Sequence, residues 1–420
     1  MPAFAGSKPL SSRCWYAGPI LELDCGQEFD PAREEEFFGA VPSRSGVLLI
    51  EMRAAGAHPH VLRTADLRRA TERLLRAPEP GSRRLNLRDV AARVRYRATA
   101  SKFEQTLTLY ENAKQHAPGR YRDLLRLRPP AVLKVNLRND YPRCYVTRRI
   151  RADEGFYFGP FASRRAAEAF SEKFLDLFKI RRCQIRIRRD PSFPGCIYSE
   201  MKMCLAPCFA GCTQQEYDAE AFRVVETLAT LGEFVTNEIE REREAASAAL
   251  DFERAAALHK RLEKVSGVLR SLPDLPRRIE DLDAVILQRG GDEKSVALFP
   301  VRGGLLVEPL FLNFGELSSQ PRSVEGMLRQ VLEPLRSGTA SQTADTVAQA
   351  EPNWRSRYGL RDAPPELTEH LSLVARWFYS NPREGEILFR EDDWPYRRIL
   401  RACGRVLAPP SAASSPATNP

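Results

Sequence analysis

The sequence predicts an α+β multidomain protein. Three observations carry that prediction: short strand-like runs set between turn residues in the first and last thirds, a cysteine-dense stretch near the middle, and a long helical region rich in Ala, Glu and Arg just after it. A chain of 420 residues suits two to three domains of roughly 150 residues each. Apolar residues at 43% and charged ones at 28% are ordinary for a globular chain. No run approaches the ~18 apolar residues of a membrane span, and no charged-then-apolar leader opens the chain, so the expectation is a soluble cytoplasmic protein with no membrane partner. Lys and Arg number 64 against 55 Asp and Glu, a formal +9 that suggests an anionic partner without identifying it.

Residues 1–40 read as an N-terminal extension, in which Glu34–Glu36 precede a Phe-Phe pair that opens a short helix. Over 41–125 the order is strand (GVLLIEM from Gly46), turn, second strand, and a helix from Asp66 with Leu67, Leu74 and Leu75 on one face. A third strand alternates apolar and basic residues at Val90–Thr99, and a helix over Phe103–His116 ends at Pro118-Gly119. This predicts a small three-stranded α+β domain.

Pro129-Pro130 opens a second region, 126–215, with a strand at AVLKVNL, a turn-rich aromatic stretch at Gly155–Phe161, and a helix carrying Phe170, Phe174 and Phe178 as core. Lys179–Arg189 alternates as a strand would. Cys183, Ile185 and Ile187 take one side, and Arg182, Gln184, Arg186 and Arg188 form a face able to meet phosphate or simply to be solvated.

Residues 216–272 are helical, with Gly232 a weak point and a hairpin over 234–269 in which Asp251 caps the second helix. The stripe Phe252, Ala255, Leu258, Leu262, Val265 and Leu269 either packs internally or meets a partner helix. The last region, 277–406, pairs strands DAVILQ and SVALFPV through Arg289-Gly-Gly-Asp. It continues through a polar flexible insertion at 317–352 to a helix at Glu366–Tyr379, a strand at Glu386–Phe389 and a helix at Tyr396–Val406. The tail, 407–420, reads as disordered.

Five of nine cysteines (Cys183, Cys196, Cys204, Cys208, Cys212) fall within 30 residues, and in a chain with no secretion signal this reads as a metal or cofactor site before a disulfide framework. The first four are spaced C-x12-C-x7-C-x3-C. Structural zinc favours two close pairs, whereas a winding loop of thiolates suits an iron–sulfur cluster, with buried free thiols as the alternative.

Cys183, Cys196 and Cys204-Leu-Ala-Pro-Cys208, preceded by Tyr157-Phe-Gly-Pro-Phe and Ile180-Arg-Arg-Cys183, resemble the cysteine-rich region of the UvrC family of excinucleases. Asn136–Pro142 resembles a further family segment, and Leu250-Asp-Phe-Glu-Arg-Ala-Ala resembles its UVR motif, the hairpin that docks on UvrB. The similarity runs from about Phe29 past Asp283 and weakly to about Val406. It implies bacterial nucleotide excision repair, DNA and a UvrB-like protein as partners, and a 4Fe-4S cluster (alternatively Zn) on Cys183, Cys196, Cys204 and Cys208, with Cys212 as the spare. It also implies partner contacts at Phe252, Glu253, Ala255, Ala256 and Leu262, while the alternation of 179–189 offers Arg182, Arg186 and Arg188 as DNA contacts.

The family cuts DNA with an N-terminal GIY-YIG nuclease domain and a C-terminal RNase H-like one. In this sequence the GIY-YIG-like domain is degenerate and the last region reads as an α/β remnant short of the RNase H-like core. Aligned on Gly46-Val47, the first tyrosine position is Leu48, the second motif reads His60-Val61-Leu62-Arg63, the arginine position is Ala70, and the glutamate position is Leu109. Hydrolysis needs a base and an acidic ligand for a divalent cation, which leucine does not supply. Glu111 lies two residues on, about 200° round the helix.

The first reading is therefore a nuclease-deficient DNA- and UvrB-binding paralogue. Against it stands a divergent endonuclease built on His60, Arg63 and Glu111, with a divalent metal only in that case. A third reading makes the cluster a sensor.

Overall fold

The computed structural model describes residues 21–315, 323–333 and 354–408. β1 (Cys25–Glu28), α1 (Glu34–Ala40), β2 (Gly46–Met52), β3 (His60–Thr64), α2 (Leu67–Leu75) and β4 (Ala91–Ala98) build an antiparallel sheet in the order β1-β4-β2-β3, with its two helices on one face. Strand alternation sorts the core. Leu48, Ile50, Val94 and Tyr96 face α1, α2 and Phe29, whereas Val47, Leu49 and Val61 face α3 (Lys102–His116) and α4 (Tyr121–Leu125). The predicted three-stranded domain is thus four-stranded. The extension supplies β1 and the Phe29, Phe37 and Phe38 cluster, without which one face of the sheet would stand in water.

The second sheet joins β5 (Ala131–Asn136), β6 (Cys144–Thr147), β7 (Gly155–Phe161) and β8 (Arg277–Arg278) in the order β6-β5-β7-β8. The aromatic run at 155–161 is a wholly buried strand, not a turn; covered on both faces, it has no reason to alternate with polar residues. α5 (Arg164–Leu175) lays Phe170 and Phe174 against this sheet, and Phe178 just beyond it extends the ring stack. Lys179–Arg189 is not a strand. It runs irregularly, with Arg181 buried and Ile185 exposed, because its backbone follows the cysteine loop instead of pairing with a neighbour.

α6 (Ile197–Glu200) is a single turn in that loop, and α7 (Gln214–Ala229) closes the core behind it. Gly232 then turns the chain at φ +102°; a Cβ there would stand 2.2 Å from a Leu269 methyl. The hairpin follows as α8 (Glu233–Ala248) and α9 (Phe252–Arg270), the latter capped by Asp251, which accepts from the Arg254 amide at 3.0 Å.

The last region is a five-stranded antiparallel sheet of β9 (Ala284–Arg289), β10 (Ser295–Arg302), β11 (Leu305–Leu306), β12 (Leu310–Asn313) and β13 (Glu386–Phe389). α10 (Val324–Leu332), α11 (Pro365–Phe378) and α12 (Tyr396–Leu407) cover it. α10 falls inside the insertion expected to be flexible: Leu328 and Leu332 are buried under the sheet, an amphipathic pattern hidden within a polar composition. The rest of that insertion and the tail from 409 lie outside the described residues.

These regions interlock. One hydrophobic core takes residues from the first sheet, the second and the last, with α11 at its centre. Trp354 and Tyr358 return to the second core, and Arg355 binds the carbonyls of Leu137 and Asn139 at 3.0 and 2.9 Å. Glu369 on α11 is buried, and it accepts from the Tyr110 and Tyr121 hydroxyls at 2.7 Å each and from Arg122 Nε at 2.8 Å. A buried carboxylate needs such partners, and these three tie α11 to α3 and α4.

Candidate functional site

The cysteine loop hangs on Arg181. Its backbone amide donates to the Tyr217 hydroxyl at 2.9 Å, and its guanidinium donates to the Tyr141 carbonyl at 2.8 Å and the Ile185 carbonyl at 2.9 Å, with Cys183 Sγ at 4.0 Å. One buried cation thus pins the Cys183 end of the loop to α7 and the second sheet. The far end is tied by Asp190 N–H to the Cys208 carbonyl at 2.9 Å and Arg189 to the Cys212 carbonyl at 3.1 Å. Lys202, Ala206 and Ala210 all have positive φ, a conformation L-residues adopt only where surroundings impose it, and here the chain winds tightly.

Cys183, Cys196, Cys204 and Cys208 lie along one loop, near enough for Cys183, Cys208 and Cys196 to act electrostatically on Cys204. Burial pushes the Cys204 thiol up to about 11; the Ala206 amide, donating to its Sγ at 3.3 Å, opposes this, and repulsion from Cys183, Cys208 and Cys196 adds to it. Burial likewise raises Cys208, with Cys196 and Cys183 adding to the shift. Cys212 is buried in the second core, and Cys208 is the cysteine that acts on it. Among the described residues no three His, Cys, Asp or Glu side chains close on one point able to hold a metal ion. The raised thiols of Cys204 and Cys208 would have to give up their protons on ligation.

The three nuclease candidates do not converge. His60 and Arg63 fall on opposite faces of β3: the intervening Val61 and Leu62 belong to different cores, and Arg63 reaches α3 at Thr106 (3.4 Å). Burial first, then Arg120 and Arg73, lowers His60. Glu111 is buried on α3. The aligned motif positions are apolar core: Leu48 is 0% and Ala70 and Leu109 are 4% exposed, with Leu109 across the sheet from the other two.

In the hairpin, Leu258 and Val265 pack on Val235, Ile239 and Ala246, and Ala255 and Leu262 are half-buried beside them. The expected partner stripe is therefore mostly internal. Phe252 at 67% exposure, Glu253 and Ala256 remain open, joined by Leu250 at 71%, whose positive φ tips it outward at the turn. Of the expected DNA contacts, Arg186 and Arg188 are exposed, and Arg182 is held by Asp176 at 2.8 Å. Sequence reasoning missed Arg181, counted only as charge, and Leu250; an arginine two residues before the first cysteine of the set and a leucine in a turn were the available signals.

Comparison with known proteins agrees with this geometry. Residues 131–227 match the UvrC/Cho excinuclease middle domain, and residues 235–267 match the UvrB/uvrC motif. UvrABC system protein C of Nitratidesulfovibrio vulgaris is 32% identical over 52% of this chain and 30% of its own length. The protein of the same name from Moorella thermoacetica is 27% identical over 70% of this chain and 48% of its own, and that from Ruminiclostridium cellulolyticum 30% identical over 42% and 29%. The chain therefore matches less than half the length of these relatives. No solved structure matches. Among the described residues no helix is long and apolar enough to cross a membrane.

Proposed function

We propose, for a chain that belongs to the UvrC family of nucleotide excision repair proteins, the work of a scaffold that meets a UvrB-like protein through its hairpin, binds DNA, carries an iron–sulfur cluster and does not cut. The observation that carries this reading is the filling of the motif positions. A phosphodiester and its metal need polar ligands and access to solvent. At Leu48 and Ala70 there is instead an aliphatic core closed by α1 and α2, and Leu109 lies in the core on the other face. The hairpin supports the docking half of the reading, since a soluble protein leaves Leu250 and Phe252 in water at little benefit to its own fold.

Cys183, Cys196, Cys204 and Cys208 would hold the cluster. The supporting observation is the spacing C-x12-C-x7-C-x3-C along one winding loop, which suits a cubane better than it suits the two close pairs of structural zinc. Zinc is the alternative occupant. Once bound, such a cluster supplies one-electron redox chemistry and a rigid staple for a loop that Arg181 already anchors.

The test is strand incision on a damaged duplex loaded with UvrA and UvrB, with Mg²⁺ or Mn²⁺ and anaerobically purified protein, with DNA binding and iron content measured on the same sample. The expected result is binding without incision and about four irons per chain. Incision that disappears in Glu111→Gln would overturn this reading in favour of a divergent endonuclease.

A further inference from the structure

We propose that a ridge of arginines at the junction of the three regions is a surface for the phosphate backbone of duplex DNA. Arg63, Arg120, Arg126, Arg128 and Arg148 are all exposed, although they come from β3, the α4 segment and the loop after β6. The fold joins them. Pairing of Thr147 with Val132 carries Arg148 to a place opposite Ala131, three residues along the chain from Arg128. α11 locks the α4 segment from behind: Ser372 Oγ donates to the Arg128 carbonyl at 2.8 Å, and Arg376 donates to the carbonyls of Leu125 and Arg126 at 2.8 and 2.9 Å. Arg63 is close enough to Arg376 to add to the lowering that burial causes there.

The carboxylates of the flanking elements are already engaged. Glu369 is held by Tyr110, Tyr121 and Arg122, Glu366 by Lys114 at 2.9 Å, and Asp153 by Lys134 at 2.5 Å. Asp123 is the acidic side chain left within the α4 segment. The ridge therefore presents guanidinium groups on a backbone that α11 holds rigid, the arrangement that neutralises several phosphates at once.

Duplex rather than single-stranded DNA follows from what the ridge lacks. Segments 117–130 and 147–151 contain one aromatic residue, Tyr121, and it is buried, so no ring is offered for bases to stack on. The ridge also lies apart in sequence from Arg182, Arg186 and Arg188, which the alternation of 179–189 pointed to. The inference rests on the DNA-binding part of the proposed function and gives it a location.

The experiment is fluorescence anisotropy of the full chain on an undamaged 30-base-pair duplex across a salt series, comparing wild type with Arg128→Glu/Arg148→Glu. Arg401→Glu on α12 serves as a charge control, and circular dichroism checks the fold. The expected result is an at least tenfold loss of affinity in the double variant and a log–log salt slope shallower by about 2, with the control much less affected. Unchanged affinity in the double variant would overturn the ridge while leaving DNA binding elsewhere intact. Absence of binding by the wild type would overturn both. Equal affinity for the corresponding single strand, or equal sensitivity of poly-glutamate binding to the same substitutions, would overturn the assignment to duplex DNA.

Discussion

The inner face of the N-terminal sheet and the tip of the hairpin both carry large apolar side chains, and they treat them in opposite ways. On the sheet, Leu48 and Ile50 are sealed beneath α1, α2 and three phenylalanines, with Leu67 and Leu74 of α2 in the same core, and they contribute to stability. At the tip, Leu250 and Phe252 are left in water, while Leu258, nearly two turns further along α9, is buried against α8. Burial of a Leu or Phe is worth roughly 1.5–3 kcal/mol, so a side chain held out of the core forgoes that contribution unless something else covers it. The sheet face is filled by packing, whereas the hairpin tip leaves its apolar side chains exposed.

The largest expected effect breaks the sealed side of this comparison. Leu48→Ala removes a fully buried side chain and should destabilise the fold by about 2–5 kcal/mol, read as a lower urea midpoint at unchanged slope. A loss below about 1 kcal/mol would mean that the face is loosely packed and could still admit a ligand.

The next sharpens it at the joint between the first and last regions. His370 on α11 is fully buried, its Nδ1 accepting from the Leu306 amide at 3.2 Å; burial, with Lys114 adding, holds its pKa down to about 4. An unfolded histidine titrates near 6.5, so between these values the unfolded chain takes up a proton that the folded one refuses. The contribution of neutral His370 is fully present above pH 6.5 and is lost as pH falls towards 4, by about 3 kcal/mol in the limit. Denaturant midpoints at pH 7.5, 5.5 and 4 should fall more steeply in wild type than in His370→Gln; equal pH dependence would remove His370 as the cause.

The smallest effect on folding belongs to the open side. Phe252→Ala should change stability by no more than about 0.5 kcal/mol, because the ring is exposed. Binding to UvrB, measured by calorimetry, should nonetheless weaken, by about 3–5 kcal/mol if the ring becomes fully buried in the complex. Unchanged binding would remove the tip from the docking surface, and a large loss of stability would show that it packs within the chain after all.

Much of the architecture was legible in the chain. Apolar alternation located β4, short apolar runs located β2, β9 and β10, Asp251 marks a helix start where its side chain accepts from the Arg254 amide, and the spacing of the cysteines set four of them apart on one loop. Such features are local: a period, a cap or a spacing is written within a few residues. The buried strand β7, the irregular course of 179–189 and the division of the α9 stripe into hidden and exposed parts were not legible, since each depends on what lies across from it. An aromatic run becomes a strand only when β5 and β8 cover its edges, and an alternating run remains a loop when no edge is offered.

The sequence by itself determined most of the elements, the clustering of five cysteines and the apolar character of Leu48, Ala70 and Leu109. Tertiary structure alone decided that Leu48 and Leu109 stand on opposite faces of one sheet, that Arg181 anchors the cysteine loop, and that arginines separated by more than eighty residues form one ridge. The physical reason is the range of the interactions. Helix and strand periodicity act over a few residues, whereas burial and electrostatics act through space and can be assigned only once the chain has brought distant residues together.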